Sequence, residues 1–442
     1  MTEHLTSGQV RDFLRGELSK DEASAVLRHL LGRCETCSAL LASRSSQRDA
    51  VARPPASYDQ AFDRALAVVV ERESPVTRER LAAPGLAARL SELPSEQQRL
   101  VIRNDPRYQT WGLCESLIRA SQQAIWDVQP ESLLEQATCA VWVGESLDPE
   151  RYGQEQINDL LAEARGNLAN AYRVRSQFAA SLSELHEAHA LLDQGTGDET
   201  LHARIASLES SLLVDQGRFE EAVELLDRAR NRISRLDETQ LEARLLVSKG
   251  VALSYYEPAL AIEAHRAALP LIDASENPRL ALCAKQGIIY CLNAVGRGQE
   301  ALVRLHQARS LFDQFSDRWS QLNYRWTEAR ITFDLGQVAE AEVAFRGLWQ
   351  EALDLGLHLE TALIVLDLME VEISLGHYQR AAAIGSRLAE QFEAWGVHRR
   401  AMQAWQLLAE AARQETATRA MVGQLTRYLR RAWQNPEIEF AG

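Results

Sequence analysis

The sequence predicts an all-α protein, a small helical domain followed by a long α-solenoid of stacked helix pairs. Three observations carry that expectation. No period-2 alternation bounded by hairpin turns is found, so strand signals are nearly absent. From about residue 96 onward apolar residues recur at helical spacing almost without interruption. Within that stretch a turn recurs at Ser176, Gly217, Glu257, Gly296, Gly336 and Gly376, in steps of 41, 40, 39, 40 and 40 residues.

Composition bounds what such a chain does. At 442 residues and 46% hydrophobic, it has length for about three domains of ~150 residues or one long array. Lys and Arg total 48 against 62 Asp and Glu, a formal net charge of −14, which disfavours a direct nucleic-acid binder. The longest apolar run, Ala65 to Val70, falls far short of the ~20 residues a membrane span needs. Met1 to Val10 lacks a basic segment followed by an apolar one, so no signal peptide and a cytoplasmic location are expected.

Residues 1–50 form the first element. Seven basic and seven acidic residues leave it neutral. Its most specific feature is His29-Leu30-Leu31-Gly32-Arg33-Cys34-Glu35-Thr36-Cys37. Zinc takes four nitrogen or sulfur ligands in a tetrahedron, and a C-x-x-C opening a helix puts two sulfurs on one metal. His29 offers a third ligand, and Gly32 permits the reversal between helices. His4 is the only other His or Cys before residue 51, which makes it the fourth candidate. A structural zinc site, a metal-free remnant of one, and a redox pair closing a Cys34–Cys37 disulfide are the three readings of this set.

The set resembles the zinc-binding anti-sigma, or putative zinc-finger, family. That pattern is an upstream His or Cys, then about 25 residues, then H-x3-C-x2-C. His4 and His29 stand 25 apart, and the second half reads H-x4-C-x2-C, one residue longer. The hydrophobic frame also fits, with Val10, Phe13 and Leu14 on a first helix and Ala25, Val26 and Leu30 on a second. The resemblance implies structural zinc on His4, His29, Cys34 and Cys37. It further implies a partner, an extracytoplasmic-function sigma factor, between whose helical domains the module and a following helix wedge.

Residues 51–95 read as a linker with amphipathic helices. Pro54-Pro55 breaks the chain, and Tyr58 to Glu71 carries Phe62, Leu66, Val69 and Val70 at helical spacing. That helix is either the wedge or a docking helix on the array. A second segment, Thr77 to Leu93, is expected to be interrupted at Pro84-Gly85.

Residues 96–442 form the array. Two residues past the turns stand Phe178, Phe219, Ala259, Gly298, Val338 and Tyr378. Five past stand Ser181, Ala222, Ile262, Ala301, Ala341 and Ala381. Twelve past stand Ala188, Ala229, Leu269, Ala308, Leu348 and Leu388. A one-residue deletion in the third unit would put Ala261 and Ala268 at its small positions. Small residues on two successive turns let helices approach closely, and one pair buries too little to stand alone. The run Gly217-Arg218-Phe219-Glu220-Glu221-Ala222, with Leu168 to Tyr172 in a first helix, resembles tetratricopeptide repeats. Those repeat at 34 residues and this chain at about 40, so it is similar to longer-helix relatives in bacterial regulatory proteins. Trp111–Trp126 with Pro130–Leu147, and Arg400–Arg413 with Thr416–Trp433, read as flanking pairs, giving about eight pairs curved around a concave face.

Other candidates read as structure. His186-Glu187-Ala188-His189 is one residue short of a zincin motif, and Gly296-Arg297-Gly298 lacks the Lys-Ser/Thr of a phosphate loop. Cys114, Cys139, Cys283 and Cys291 read as buried small residues, and most of the nine tryptophans as inter-helix core. Arg427, Arg430 and Arg431 read as a solvated basic end. With no catalytic constellation, the expectation is a non-enzymatic regulator. Its zinc module would contact a sigma factor and its concave face would take a protein or peptide. The alternative is a generic adaptor in which the zinc module is a cap or docking tag.

Overall fold

The computed structural model describes residues 4–15, 18–19, 22, 25–26, 29, 36–37, 75–126, 130–175, 177–315, 317–392, 394–395, 397, 399–432 and 440. All regular structure among them is helical. The chain divides into two compact units, 1–74 and 75–442.

In the first unit, α1 spans Ser7–Arg15. It begins with a reciprocal cap: Gln9 N donates to Thr6 Oγ1 at 3.3 Å, and Thr6 N donates to Gln9 Oε1 at 2.9 Å. Ser19 and Glu22 repeat the device, with Ser19 N donating to Glu22 Oε2 at 3.0 Å. Val10, Val26 and Cys37 are buried, Phe13 is half-buried and Ala25 is exposed. Leu30 and the expected helix Tyr58–Glu71 lie outside the described residues.

The second unit opens with α2 (Pro75–Ser91), inside the stretch read from the sequence as linker, and α3 (Ser95–Asn104), where the array was expected to begin. The expected break at Pro84-Gly85 does not occur; α2 is continuous, with both residues on its exposed side. Packing outweighs the lost hydrogen bond. The backbone of Gly112 sits so close to α2 that a Cβ there would meet Arg80 N at 2.4 Å. The buried Glu79 carboxylate accepts from Tyr152 Oη at 2.8 Å and from Arg151.

Then follow α4 (Trp111–Trp126) with α5 (Pro130–Glu145), and α6 (Gln154–Val174) with α7 (Phe178–Leu192). Next are α8 (Glu199–Asp215) with α9 (Phe219–Ile233), and α10 (Thr239–Leu253) with α11 (Pro258–Ala268). α12 (Pro278–Ala294) pairs with α13 (Gly298–Gln307), and α14 (Arg318–Asp334) with α15 (Val338–Asp354). The last are α16 (His358–Ser374) with α17 (Tyr378–Ala389), and α18 (Arg399–Arg413) with α19 (Arg419–Ala432). From α6 to α16 the first helices of successive pairs pack on one another, and the second helices make no comparable contacts. Close packing on one layer and divergence on the other curves the stack, with the first helices lining the inner face.

The repeat signals land where the chemistry requires. Phe178, Phe219, Gly298, Val338 and Tyr378 are each the first residue of a second helix. Ser181, Ala222, Ala261, Ala301, Ala341 and Ala381 are all buried, as is Ala268. Gly217 and Gly336 have φ of 74° and 86°, the left-handed cap that lets the next N–H reach back, Arg218 N to Leu213 O at 2.8 Å in the first case. In the third unit α10 ends at a C-cap on Ser254, and Glu257, at φ −133°, is the N-cap of α11, the place that Arg218 holds before α9, which is the physical content of the one-residue deletion.

The last pair, α18 with α19, departs from the pattern. Its turn puts Glu415, not glycine, at φ 57°, with Thr416 N bonding Ala411 O at 2.8 Å. A side chain in that region costs on the order of 1 kcal/mol. Glu415→Gly is therefore expected to stabilise the protein by about 1 kcal/mol, read from a denaturant midpoint that shifts upward at constant slope. Beyond this turn α19 packs more extensively on α16 than on its own partner α18. It thereby closes the inner layer, burying Val422, Leu425, Leu429 and Ala432.

Candidate functional site

Two places gather chemistry. In the first unit, one ligand atom each from His4, His29 and Cys37 lies within 4.8 Å of the others. His29 Nε2 is 3.2 Å and His4 Nδ1 3.7 Å from Cys37 Sγ. The two imidazole rings meet edge to face, centroids 6.4 Å apart. In tetrahedral zinc, bonds of about 2.3 Å to sulfur and 2.0–2.1 Å to nitrogen set sulfur and nitrogen about 3.6 Å apart. The two observed separations bracket that value, so these donors fit the metal. Leu5 N donates to Cys37 Sγ at 3.3 Å, a neutral partner for the sulfur that leaves its other lone pairs for coordination. Cys34 lies outside the described residues. The backbone donor at Leu5 carries no sequence signal, because any residue type supplies it.

In the second unit, the inner layer is laced by pairs between equivalent helices. Glu163 on α6 meets Arg204 on α8, and Arg173 meets Asp215 with Nη1 to Oδ2 at 2.6 Å. At the other end Arg330 on α14 reaches Asp367 at 2.8 Å and Glu370 at 2.6 Å on α16. Burial works against the Arg330 charge, and the Asp367 and Glu370 carboxylates outweigh it and raise the pKa. Burial pushes the Asp367 carboxyl up against the pull of Arg330. Arg419 of α19 joins them, with Nε 2.8 Å from Glu370 Oε1. Between these ends the inner layer over α8, α10 and α12 exposes Val251, Tyr255 and Tyr290.

Most tryptophans with described side chains pack in the inter-helix core as expected, Trp405 fully buried and Trp111, Trp142, Trp326, Trp349 and Trp395 partly buried against the hydrophobic clusters, while Trp319 is exposed. The indole N–H suits partial burial, since Trp326 Nε1 reaches Asp367 at 2.6 Å and Trp111 Nε1 reaches Glu115 at 2.9 Å. The basic end, by contrast, is not wholly solvated. Arg430 lies 5.6 Å over the Tyr290 ring with Nη1 3.3 Å from its hydroxyl, because α19 turns inward; Arg427 is exposed. His189 Nε2 donates to Glu209 Oε2 at 2.8 Å as repeat surface. Gly296 ends α12 as an inter-helix turn. Cys114, Cys139 and Cys291 are buried and Cys283 half-buried; burial raises every one of these thiols, Cys291 to about 11 and Cys139 to about 12. No helix among the described residues is long and apolar enough to cross a membrane.

Among solved structures, the chain is similar to a Rap protein complexed with competence and sporulation factor. The TM-score is 0.55 at 13% identity, over 72% of this chain and 86% of that one. It is also similar to aspartyl phosphate phosphatase F from Bacillus subtilis, with TM-score 0.49, 13% identity, and 95% and 98% of the two chains covered. The apo form of RapI gives TM-score 0.47 at 13% identity over 72% and 86%. The first of these supports the helical-repeat fold. No family model matches the chain, and no curated protein matches it.

Proposed function

We propose that the chain is a non-enzymatic regulator that joins a zinc-held N-terminal module to a repeat array. His4, His29, Cys34 and Cys37 hold a structural zinc ion. The module contacts a sigma factor, and the concave face of the array takes a peptide or protein that tunes the contact. The observation that carries this reading is the convergence of His4, His29 and Cys37 within 4.8 Å, in a chain whose remaining helices build a curved inner surface. Zinc here would supply fold rather than reactivity: a module of about 50 residues buries little apolar surface, and coordination replaces the missing core. The solved Rap complex with competence and sporulation factor supports the array as a carrier of a bound factor.

The test is a pull-down with the full chain against a panel of extracytoplasmic-function sigma factors, beside the same chain carrying Cys37→Ala. Capture of a sigma factor by the wild type and its loss in the variant is the expected result. Equal capture by both leaves the module as a cap or docking tag on an adaptor. No capture by either removes the sigma-factor reading.

A further inference from the structure

The inner layer carries one position where a charge is left without its counterpart. Glu163, Arg204, Arg244 and Cys283 are equivalent residues on α6, α8, α10 and α12, spaced 41, 40 and 39 apart. Glu163 pairs with Arg204. The partner that Arg244 would need on α12 is Cys283, which is not an acid. Arg244 has no hydrogen bond or ion pair among the described residues, although its surface is exposed. Partial loss of its water first, and the nearby Arg204 guanidinium second, lower its pKa. An exposed guanidinium with no carboxylate of its own presents a fork of N–H donors that a bidentate carboxylate matches.

The neighbouring surface is of another kind. Four and seven residues along the same helix faces stand Leu208 on α8 and Val251 on α10, with Tyr290 on α12. Val251 is 40% and Tyr290 45% exposed, large apolar surface beside the cation. Arg430, laid over Tyr290, bounds this patch on one side. Glu163 and Asp215 on the same layer, and the net charge of −14, oppose a polyanion such as nucleic acid.

We propose that the inner face over α8, α10 and α12 recognises a peptide carboxylate, held by Arg244 with Arg204 beside it, while an adjoining apolar residue of the peptide packs on Leu208, Val251 and Tyr290. This rests on the peptide-binding reading of the concave face and names the chemistry it selects. The carboxylate is either the C-terminus of the peptide or an acidic side chain next to an apolar residue.

The full chain is offered randomised hexapeptide libraries in three forms: free C-terminal acid without Asp or Glu, C-terminal amide with Asp and Glu allowed, and C-terminal amide without them. Peptides retained on immobilised protein are counted. The expected result is at least tenfold greater retention from one carboxylate-bearing library than from the neutral one, and the library that wins identifies the source. Arg244→Gln abolishes that preference. Arg228→Gln, on the exposed side of α9, keeps it, which separates the effect from general loss of charge or folding. Equal retention of neutral and acidic libraries overturns the carboxylate assignment and leaves peptide binding standing. Retention of none overturns both.

Discussion

Replacing Arg330 by alanine is expected to destabilise the protein by about 3 kcal/mol, near the lower end of the 3–5 kcal/mol typical when one partner of a buried charge pair is removed. The side chains of Asp367 and Glu370 are 11% and 7% exposed, so little water reaches them once the guanidinium is gone. The loss is held to that lower end because Trp326 Nε1 still donates to Asp367 and Arg419 still holds Glu370. Arg218→Ala is the contrast. Its partner Glu221 is exposed, and the change should stay within about 0.5 kcal/mol. Denaturant unfolding of both variants checks the pair of numbers. Equal effects would mean the inner network contributes no more than an exposed ion pair.

The second large effect belongs to His265 on α11. The ring is fully buried, and both ring nitrogens lack a hydrogen-bond partner among the described residues. It lies against the bare backbones of Gly250 and Gly287, where an added Cβ would sit 2.6 Å and 2.1 Å from ring atoms. Burial lowers its pKa to about 4. The sign follows from linkage. The unfolded chain, with an ordinary value near 6.5, binds a proton that the folded chain refuses, so stability rises with pH across the gap. Stability is full above about pH 6.5 and falls on acidification, with about 2 kcal/mol lost by pH 5 and about 3 by pH 4. His265→Leu should remove that slope, so the difference between variant and wild type across pH 4–7 is the readout. A parallel pair of curves would show that the imidazole is not held neutral. Gly287→Ala should cost about 3 kcal/mol by overpacking. Combined with His265→Ala it should be less damaging than the sum of the two singles, by more than about 1 kcal/mol.

The repeats were legible because they rest on local chemistry. A glycine in the left-handed cap and small residues two turns apart are readable one residue at a time, and Gly217, Ala222 and Ala229 behave as their spacing implies. What was not legible depends on partners far away in the chain. Pro84 argues for a break, yet α2 runs on through it, packed close against Gly112 with Glu79 accepting from its backbone N–H. Arg430 looks like a solvated end until α19 folds inward against Tyr290, 140 positions earlier. His265 resembles any helix residue until Gly250 and Gly287 make room for its ring. Arg244 becomes notable only when the equivalent place on α12 is seen to carry Cys283. In the first unit the convergence of His4, His29 and Cys37 was readable because His and Cys are few in that stretch and stand at a telling spacing. The Leu5 backbone donor was not, since it is common to every residue but proline.

Metal content of the purified full chain bears most directly on the whole account. Elemental analysis is predicted to find one zinc per chain in the wild type, and none in His29→Ala or Cys37→Ala. Wild-type protein purified in the presence of zinc but carrying none would contradict it, and the N-terminal His and Cys side chains would then be packing residues of a small helical module.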